Sequence, residues 1–145
     1  MNRFVFRRTE EVVADWGIDI RLHQWSVQTL TEVAGSCDLA IVPVDATDPM
    51  AVGKPENRMR IFWRLGVPVV VSANPAHMRA AELAGLGDRV VCFTAGDWER
   101  TLVELSSSPD LRMEVALAGQ AAARAAYSDE SLAMRWDRVI ESLQR

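Results

Sequence analysis

The chain alternates between short apolar runs and longer stretches in which apolar residues recur at helical spacing. The short runs are rich in β-branched residues, and they predict strands over 3–7, 18–24, 39–44, 67–72 and 89–93. The amphipathic stretches predict helices over 26–34, 56–65, 75–84 and 97–105, followed by helical structure from residue 110 onward. Such alternation is typical of a parallel sheet with helices packed against it.

The run from Val67 to Val71 indicates how this sheet is covered. It is apolar at successive positions rather than at every second one, which is typical of a strand buried on both faces. We therefore predict an α/β fold, a Rossmann-like doubly wound parallel sheet with helices on both faces, formed by a single domain over 1–145. The C-terminus is predicted to be helical, with Trp136 anchoring the last helix in the core.

Composition narrows the function classes. The net charge of −4 disfavours general binding to nucleic acid, and no apolar segment approaches the roughly 20 residues of a membrane span. Cys37 and Cys92 lie in or beside apolar runs and are predicted to be buried thiols of a reducing compartment, with a disulfide between them as the open alternative. We expect a cytoplasmic protein. His23 and His77 lack partners at metal-ligand spacing, and no metal site is predicted. His77, at a predicted helix start, is a candidate for the binding cleft or a structural histidine.

Lys54 is the chain's single lysine, and it lies where the loop after the 39–44 strand becomes a helix. Asn57 and Arg58 follow in the first helical turn, where unpaired N–H groups and partial positive charge favour an anion. Together these residues predict a phosphate site. Two alternatives remain open: a solvated lysine, and a lysine paired with Asp45 or Asp48 of the same loop.

Three segments resemble the nucleotide-sugar half of a GT-B glycosyltransferase, in particular the retaining enzymes similar to family 4. They are L-A-I-V-P-V at 39–44, K-P-E-N-R at 54–58 and L-G-V-P-V-V-V-S at 65–72. The W-S pair at 25–26 and the Y-S pair before the last, Trp-bearing helix extend the resemblance from about residue 18 to the end of the chain.

The resemblance implies a donor site for a nucleoside diphosphate sugar. Lys54 and Arg58 would hold the diphosphate, assisted by Asn57 and the start of its helix. The residues implied to lie near the nucleoside or the sugar are Trp25, Ser26, Glu56, Ser72 and Asn74. The donor is the substrate, and neither a cofactor nor a metal is implied. A complete enzyme also needs an N-terminal acceptor-binding domain, so we expect this chain to be a fragment or a separate subunit without activity alone. The catalytic residue stays unassigned.

One departure from the family pattern keeps other functions open. The family commonly carries two glutamates where this chain has Gly53 and Ile61, although Glu56 could contact the ribose or sugar from a shifted position. The alternative is a non-catalytic Rossmann-like module acting as a binding or assembly subunit. A flavodoxin-like receiver would share the architecture, but the acidic cluster expected after its first strand is missing.

Overall fold

A computed structural model of the chain describes residues 3–144, with side chains from residue 9 onward. Contacts divide the chain into two compact units, Met1–Val33 and Ala34–Arg145, which are described separately below. The single domain over 1–145 stays a prediction. No helix in the described part of the chain is long and apolar enough to cross a membrane.

The first unit contains helix α1 (Arg3–Ala14) and most of helix α2 (Val27–Ala34). The predicted strand over 3–7 is wrong, because those residues begin α1. A short apolar run fits a strand or a helix equally well, and here the following residues continue the helix. The predicted strand over 18–24 is also wrong: its alternating residues Ile18, Ile20 and Leu22 line a shallow pocket beside α1, without a strand pairing with them.

The second unit is mixed α/β, and it confirms the predicted α/β class. Strands β1 (Ala40–Val42), β2 (Val69–Ser72) and β3 (Val91–Cys92) form a parallel sheet in the order β1-β2-β3. Its helices are α3 (Pro49–Val52), α4 (Asn57–Arg64), α5 (Pro75–Leu83), α6 (Gly87–Val90), α7 (Ala95–Ser107), α8 (Pro109–Ala126) and α9 (Asp129–Leu143). All four residues of β2 are buried, as its uninterrupted apolar run predicts.

The helix ends follow local sequence signals. Thr94 and Asp97 form a capping box at the start of α7, while Ser128 accepts a hydrogen bond from the Ser131 N–H at the start of α9. Gly66 and Gly85 follow α4 and α5 with φ angles of 76° and 67°, a conformation that glycine adopts without steric cost. Strands β1 and β2 are shorter than predicted because their pairing ends before the apolar runs do. Strand β3 is shorter because Arg89 and Val90 belong to α6.

Helices α4 and α8 pack closely against each other. Trp63 of α4 is fully buried at their contact, and Gly119 of α8 lies directly against its indole ring. An ideal Cβ at residue 119 would lie 2.5 Å from the indole Nε1, closer than non-bonded atoms approach. The missing side chain of Gly119 therefore makes room for Trp63.

Two burial predictions are wrong. Trp136 was expected in the core, but 67% of it is exposed, and α9 has no buried residue. The periodicity of α9 predicts an apolar face but does not indicate what covers it. Cys37 is exposed, because it lies in the turn after α2 rather than in β1; Cys92 is buried in β3 as predicted. Burial raises the pKa of the Cys92 thiol.

Candidate functional site

The loop between β1 and α4 contains the short helix α3. Its two carboxylates, Asp45 and Asp48, accept hydrogen bonds from residues of the same loop. Asp45 accepts hydrogen bonds from the N–H and hydroxyl of Thr47, at 2.8 and 2.7 Å, and these bonds lower the pKa of Asp45. Asp48 caps α3 by accepting from the Met50 N–H at 2.9 Å. Within the described residues neither carboxylate forms an ion pair with Lys54. The positive charge of Lys54 is therefore not neutralised by its own loop.

A small open cavity of about 180 Å³ lies at the carboxyl end of β1. Its lining consists of Val42, Val44, Lys54, Pro55, Asn57, Arg58 and His77. The structure thus brings together the three residues predicted to hold a phosphate. Among the described residues no carboxylate lines the cavity, and the charged side chains of the lining, Lys54 and Arg58, are both positive.

The start of α4 adds to the positive character of this cavity. Glu56 occupies the N-cap position but makes no side-chain hydrogen bond to the helix. Asn57 and Arg58 are therefore in a first turn whose N–H groups the Glu56 side chain does not cap. The helix dipole places partial positive charge at the same end.

His77 forms the buried part of the cavity lining. Only 2% of His77 is exposed, and its Nδ1 lies 2.9 Å from the carbonyl oxygen of Ser72. The hydroxyl oxygen of Ser72 accepts a hydrogen bond from the Val44 N–H at 2.8 Å. The end of β2 therefore fixes both the imidazole and the backbone that follows β1.

Asn74 links α5 to the Lys54 loop. Its Oδ1 accepts a hydrogen bond from the His77 N–H at 2.7 Å, which caps α5. Its Nδ2 donates to the carbonyl oxygen of Lys54 at 3.4 Å. Ser72 and Asn74 were predicted to border the donor site, and the structure places both behind the lining, where they support His77 and Lys54.

Glu56 does not line the cavity, and its carboxylate interacts with Tyr127. Burial, together with the charge and hydrogen bonding of Glu56, raises the pKa of the Tyr127 phenol. The guanidinium of Arg60 lies 3.9 Å from the centre of the same ring, and Arg64 donates to the Tyr127 carbonyl at 3.0 Å. Glu56 therefore interacts with Tyr127, which lies between α8 and α9, and is not part of the cavity lining.

Changing Tyr127 to phenylalanine is expected to reduce the loss of stability at alkaline pH. Below about pH 10 the phenol is protonated in both the folded and the unfolded chain, so Tyr127 does not lower the free energy of unfolding there. Above that pH the unfolded chain ionises first, because the folded pKa is raised, and the free energy of unfolding falls. Urea unfolding at pH 8, 9.5 and 10.5 should show a steeper decline for the wild type than for Tyr127→Phe. Equal slopes would contradict the raised pKa.

The other two predicted site residues lie in the first unit. Trp25 is 67% exposed. Ser26 accepts a hydrogen bond from the Thr29 N–H at 2.9 Å and so caps α2, as its position before that helix predicts. The predicted contact of both residues with a nucleoside stays a prediction.

For His77 the sequence leaves two roles open, in the binding cleft or in the structure, and in the structure His77 lines the cavity. Its spacing from Asn74 predicts a capped helix, but its contact with the cavity depends on the pairing of β1 with β2. Across residues 3–144 no group of three or more His, Cys, Asp or Glu side chains is arranged to hold a metal ion.

Comparison with models of known protein families gives no match to this chain. Comparisons with curated proteins and with solved structures give none either. The function must therefore be argued from the residues and from the geometry of the cavity.

Proposed function

We propose that the cavity at the end of β1 binds the diphosphate of a nucleotide sugar. On this proposal the chain is the Rossmann-like donor-binding half of a retaining GT-B glycosyltransferase. The observation that carries it is that Lys54 and Arg58 line one cavity in which none of the described lining residues is a carboxylate. The likeness of the 39–44, 54–58 and 65–72 segments to that family also supports it.

The charges and the shape of the cavity fit a diphosphate. An ammonium contributes a compact positive charge, while a guanidinium offers a fork that matches two phosphate oxygens. The uncapped start of α4 adds backbone N–H donors on the same side. Ligand cavities for whole drug-sized molecules span roughly 300–1,000 Å³, so about 180 Å³ suits the diphosphate and its nearest atoms.

During sugar transfer these groups would stabilise the departing diphosphate. Negative charge grows on the leaving phosphate oxygens as the glycosidic bond breaks, and fixed positive groups favour that change. Lys54 and Arg58 would supply this stabilisation, while the partner domain would contribute the acceptor site. We do not expect the chain alone to transfer sugar, because its cavity is open to water.

A specific observation favours the second candidate, a non-catalytic Rossmann-like binding module. Glu56, at the start of α4, lies between Lys54 and Arg58 in the sequence. Its carboxylate interacts with Tyr127 and does not line the cavity. Gly53 and Ile61 stand at the positions where the family commonly has glutamates. Such a module would keep the anion site without recognising the ribose or the sugar.

Titration with nucleotides distinguishes these proposals. The purified chain is mixed with UDP, GDP, ADP, UDP-glucose, GDP-mannose, ADP-glucose or inorganic pyrophosphate, and binding is followed by calorimetry and melting temperature at constant ionic strength. A donor site predicts that at least one nucleotide sugar binds more tightly than pyrophosphate. At a concentration 100 times Kd it should add about 2.7 kcal/mol to the free energy of unfolding.

The other outcomes also decide between the proposals. If pyrophosphate binds as tightly as every nucleotide, the cavity is a general anion site and the second candidate is favoured. If none of the seven compounds binds, the diphosphate site is rejected.

A further inference from the structure

The hydrogen bond between His77 and Ser72 determines which ring nitrogen carries the proton. A carbonyl oxygen only accepts hydrogen bonds, so the Nδ1 atom 2.9 Å from it must donate. In the neutral ring the other nitrogen, Nε2, then carries a lone pair and accepts. The hydrogen bond to Ser72 therefore makes Nε2 an acceptor and also fixes the orientation of the ring.

Within the described part of the protein, Nε2 forms no hydrogen bond. It is also not one of the buried side-chain atoms left without a partner, so Nε2 keeps contact with water. The imidazole is almost completely buried and belongs to the cavity lining, so a ligand in the cavity reduces its access to water further. A polar group that is desolvated without a partner lowers binding affinity. A well-matched ligand must consequently offer a hydrogen-bond donor to this nitrogen.

We infer that Nε2 of His77 accepts a hydrogen bond from a ligand hydroxyl beside the phosphates, and that it thereby selects hydroxyl-bearing phosphate esters. This inference rests on the proposed diphosphate site. Ionised phosphate oxygens are acceptors and fit Lys54 and Arg58, whereas they leave Nε2 unpaired. Sugar phosphates and nucleotides carry hydroxyls close to their phosphates, so they satisfy both requirements.

The first experiment compares the affinities of ligands that differ only in their hydroxyl groups. One pair is the tightest-binding nucleoside diphosphate and its 2′,3′-dideoxy analogue; the other is glucose 1-phosphate and 2-deoxyglucose 1-phosphate. Calorimetry is done at pH 8. The wild type should bind one hydroxyl-bearing member about 2- to 12-fold more tightly than its analogue. The pair that discriminates identifies ribose or hexose as the source of the hydroxyl.

Two substitutions distinguish the hydrogen bond accepted by Nε2 from the structural bond between Nδ1 and the Ser72 carbonyl. In His77→Asn the amide N–H can replace Nδ1 toward the Ser72 carbonyl, but nothing replaces Nε2. In His77→Gln the longer amide reaches toward the position of Nε2, where its oxygen can accept a hydrogen bond. We expect His77→Asn to lose the preference for the hydroxyl-bearing ligand and His77→Gln to retain part of it. Melting temperatures without ligand measure folding of both variants.

The outcomes distinguish this inference from the proposed function. If nucleoside diphosphates bind but the wild type does not discriminate in either pair, His77 does not select a hydroxyl, while the diphosphate site stands. Equal discrimination by wild type and His77→Asn would also overturn the role of Nε2. If no phosphate compound binds the wild type, the diphosphate site itself is rejected, and this inference with it.

Discussion

Gly119→Ala is expected to lower the free energy of unfolding by about 1–3 kcal/mol. The new methyl group would overlap Cδ1 of the Trp63 indole and would lie 2.5 and 2.8 Å from its Nε1 and Cγ. Trp63 is fully buried between α4, α8 and the sheet, so the ring cannot move into solvent to relieve the overlap. Alanine favours a helix over glycine by up to about 1 kcal/mol, and the steric term should exceed this gain.

Gly96→Ala is the matched control for Gly119→Ala. It introduces the same methyl group into a helix, but the nearest atom to its Cβ is the Thr94 hydroxyl at 3.8 Å, an ordinary contact. We expect this control to leave stability unchanged or to raise it by about 0.4–1 kcal/mol. Urea unfolding followed by circular dichroism measures both variants. Equal stability of the two would contradict the close packing of Gly119 on Trp63.

A compensating substitution tests the same contact from its other side. Trp63→Phe removes part of the indole and should destabilise the wild type by leaving a void. In the Gly119→Ala background the smaller ring makes room for the methyl group, so the two effects should be less than additive. Strict additivity would place the strain of Gly119→Ala elsewhere than at Trp63.

The sequence predicts the central strand and the helix ends of the second unit well, because those signals are local and mutually consistent. The apolar run of β2 indicates burial on both faces, and Gly66 and Gly85 end helices where predicted. The first unit follows such signals less closely. Its apolar run at 3–7 fits either periodicity, and a strand also requires a partner that no local pattern specifies.

The candidate site shows the same division between local and tertiary information. Lys54, Asn57 and Arg58 are neighbours in sequence around one helix start, so their grouping can be predicted. The position of His77 depends on how β1 pairs with β2. The interaction of Glu56 with Tyr127 depends on how helices far apart in the sequence pack together. Neither contact leaves a periodic signal in the chain.

The largest expected effect on binding is that of removing both cations from the cavity. Lys54→Ala and Arg58→Ala should each weaken binding of the tightest nucleoside diphosphate about 10-fold, close to 1.5 kcal/mol. This is the lower end for a charge-assisted bond, because both side chains are exposed and partly screened. The double variant should bind about 100-fold more weakly if the two contributions are independent. A deviation from that product measures how strongly the two cations cooperate on one diphosphate.

Arg79→Ala is the matched control, because Arg79 is an exposed arginine of α5 that does not line the cavity. It changes the net charge by the same amount as either single variant and should leave Kd within about 2-fold, since an exposed charge outside the lining makes no direct contact with the ligand and is screened by salt. All four variants should melt close to the wild type, because surface substitutions usually change stability by less than about 0.5 kcal/mol. Calorimetry at two salt concentrations completes the test: the wild type should lose more affinity at high salt than the double variant. If Arg79→Ala weakens binding as much as Lys54→Ala, general attraction by the surface explains the affinity, and the specific role of the cavity is contradicted.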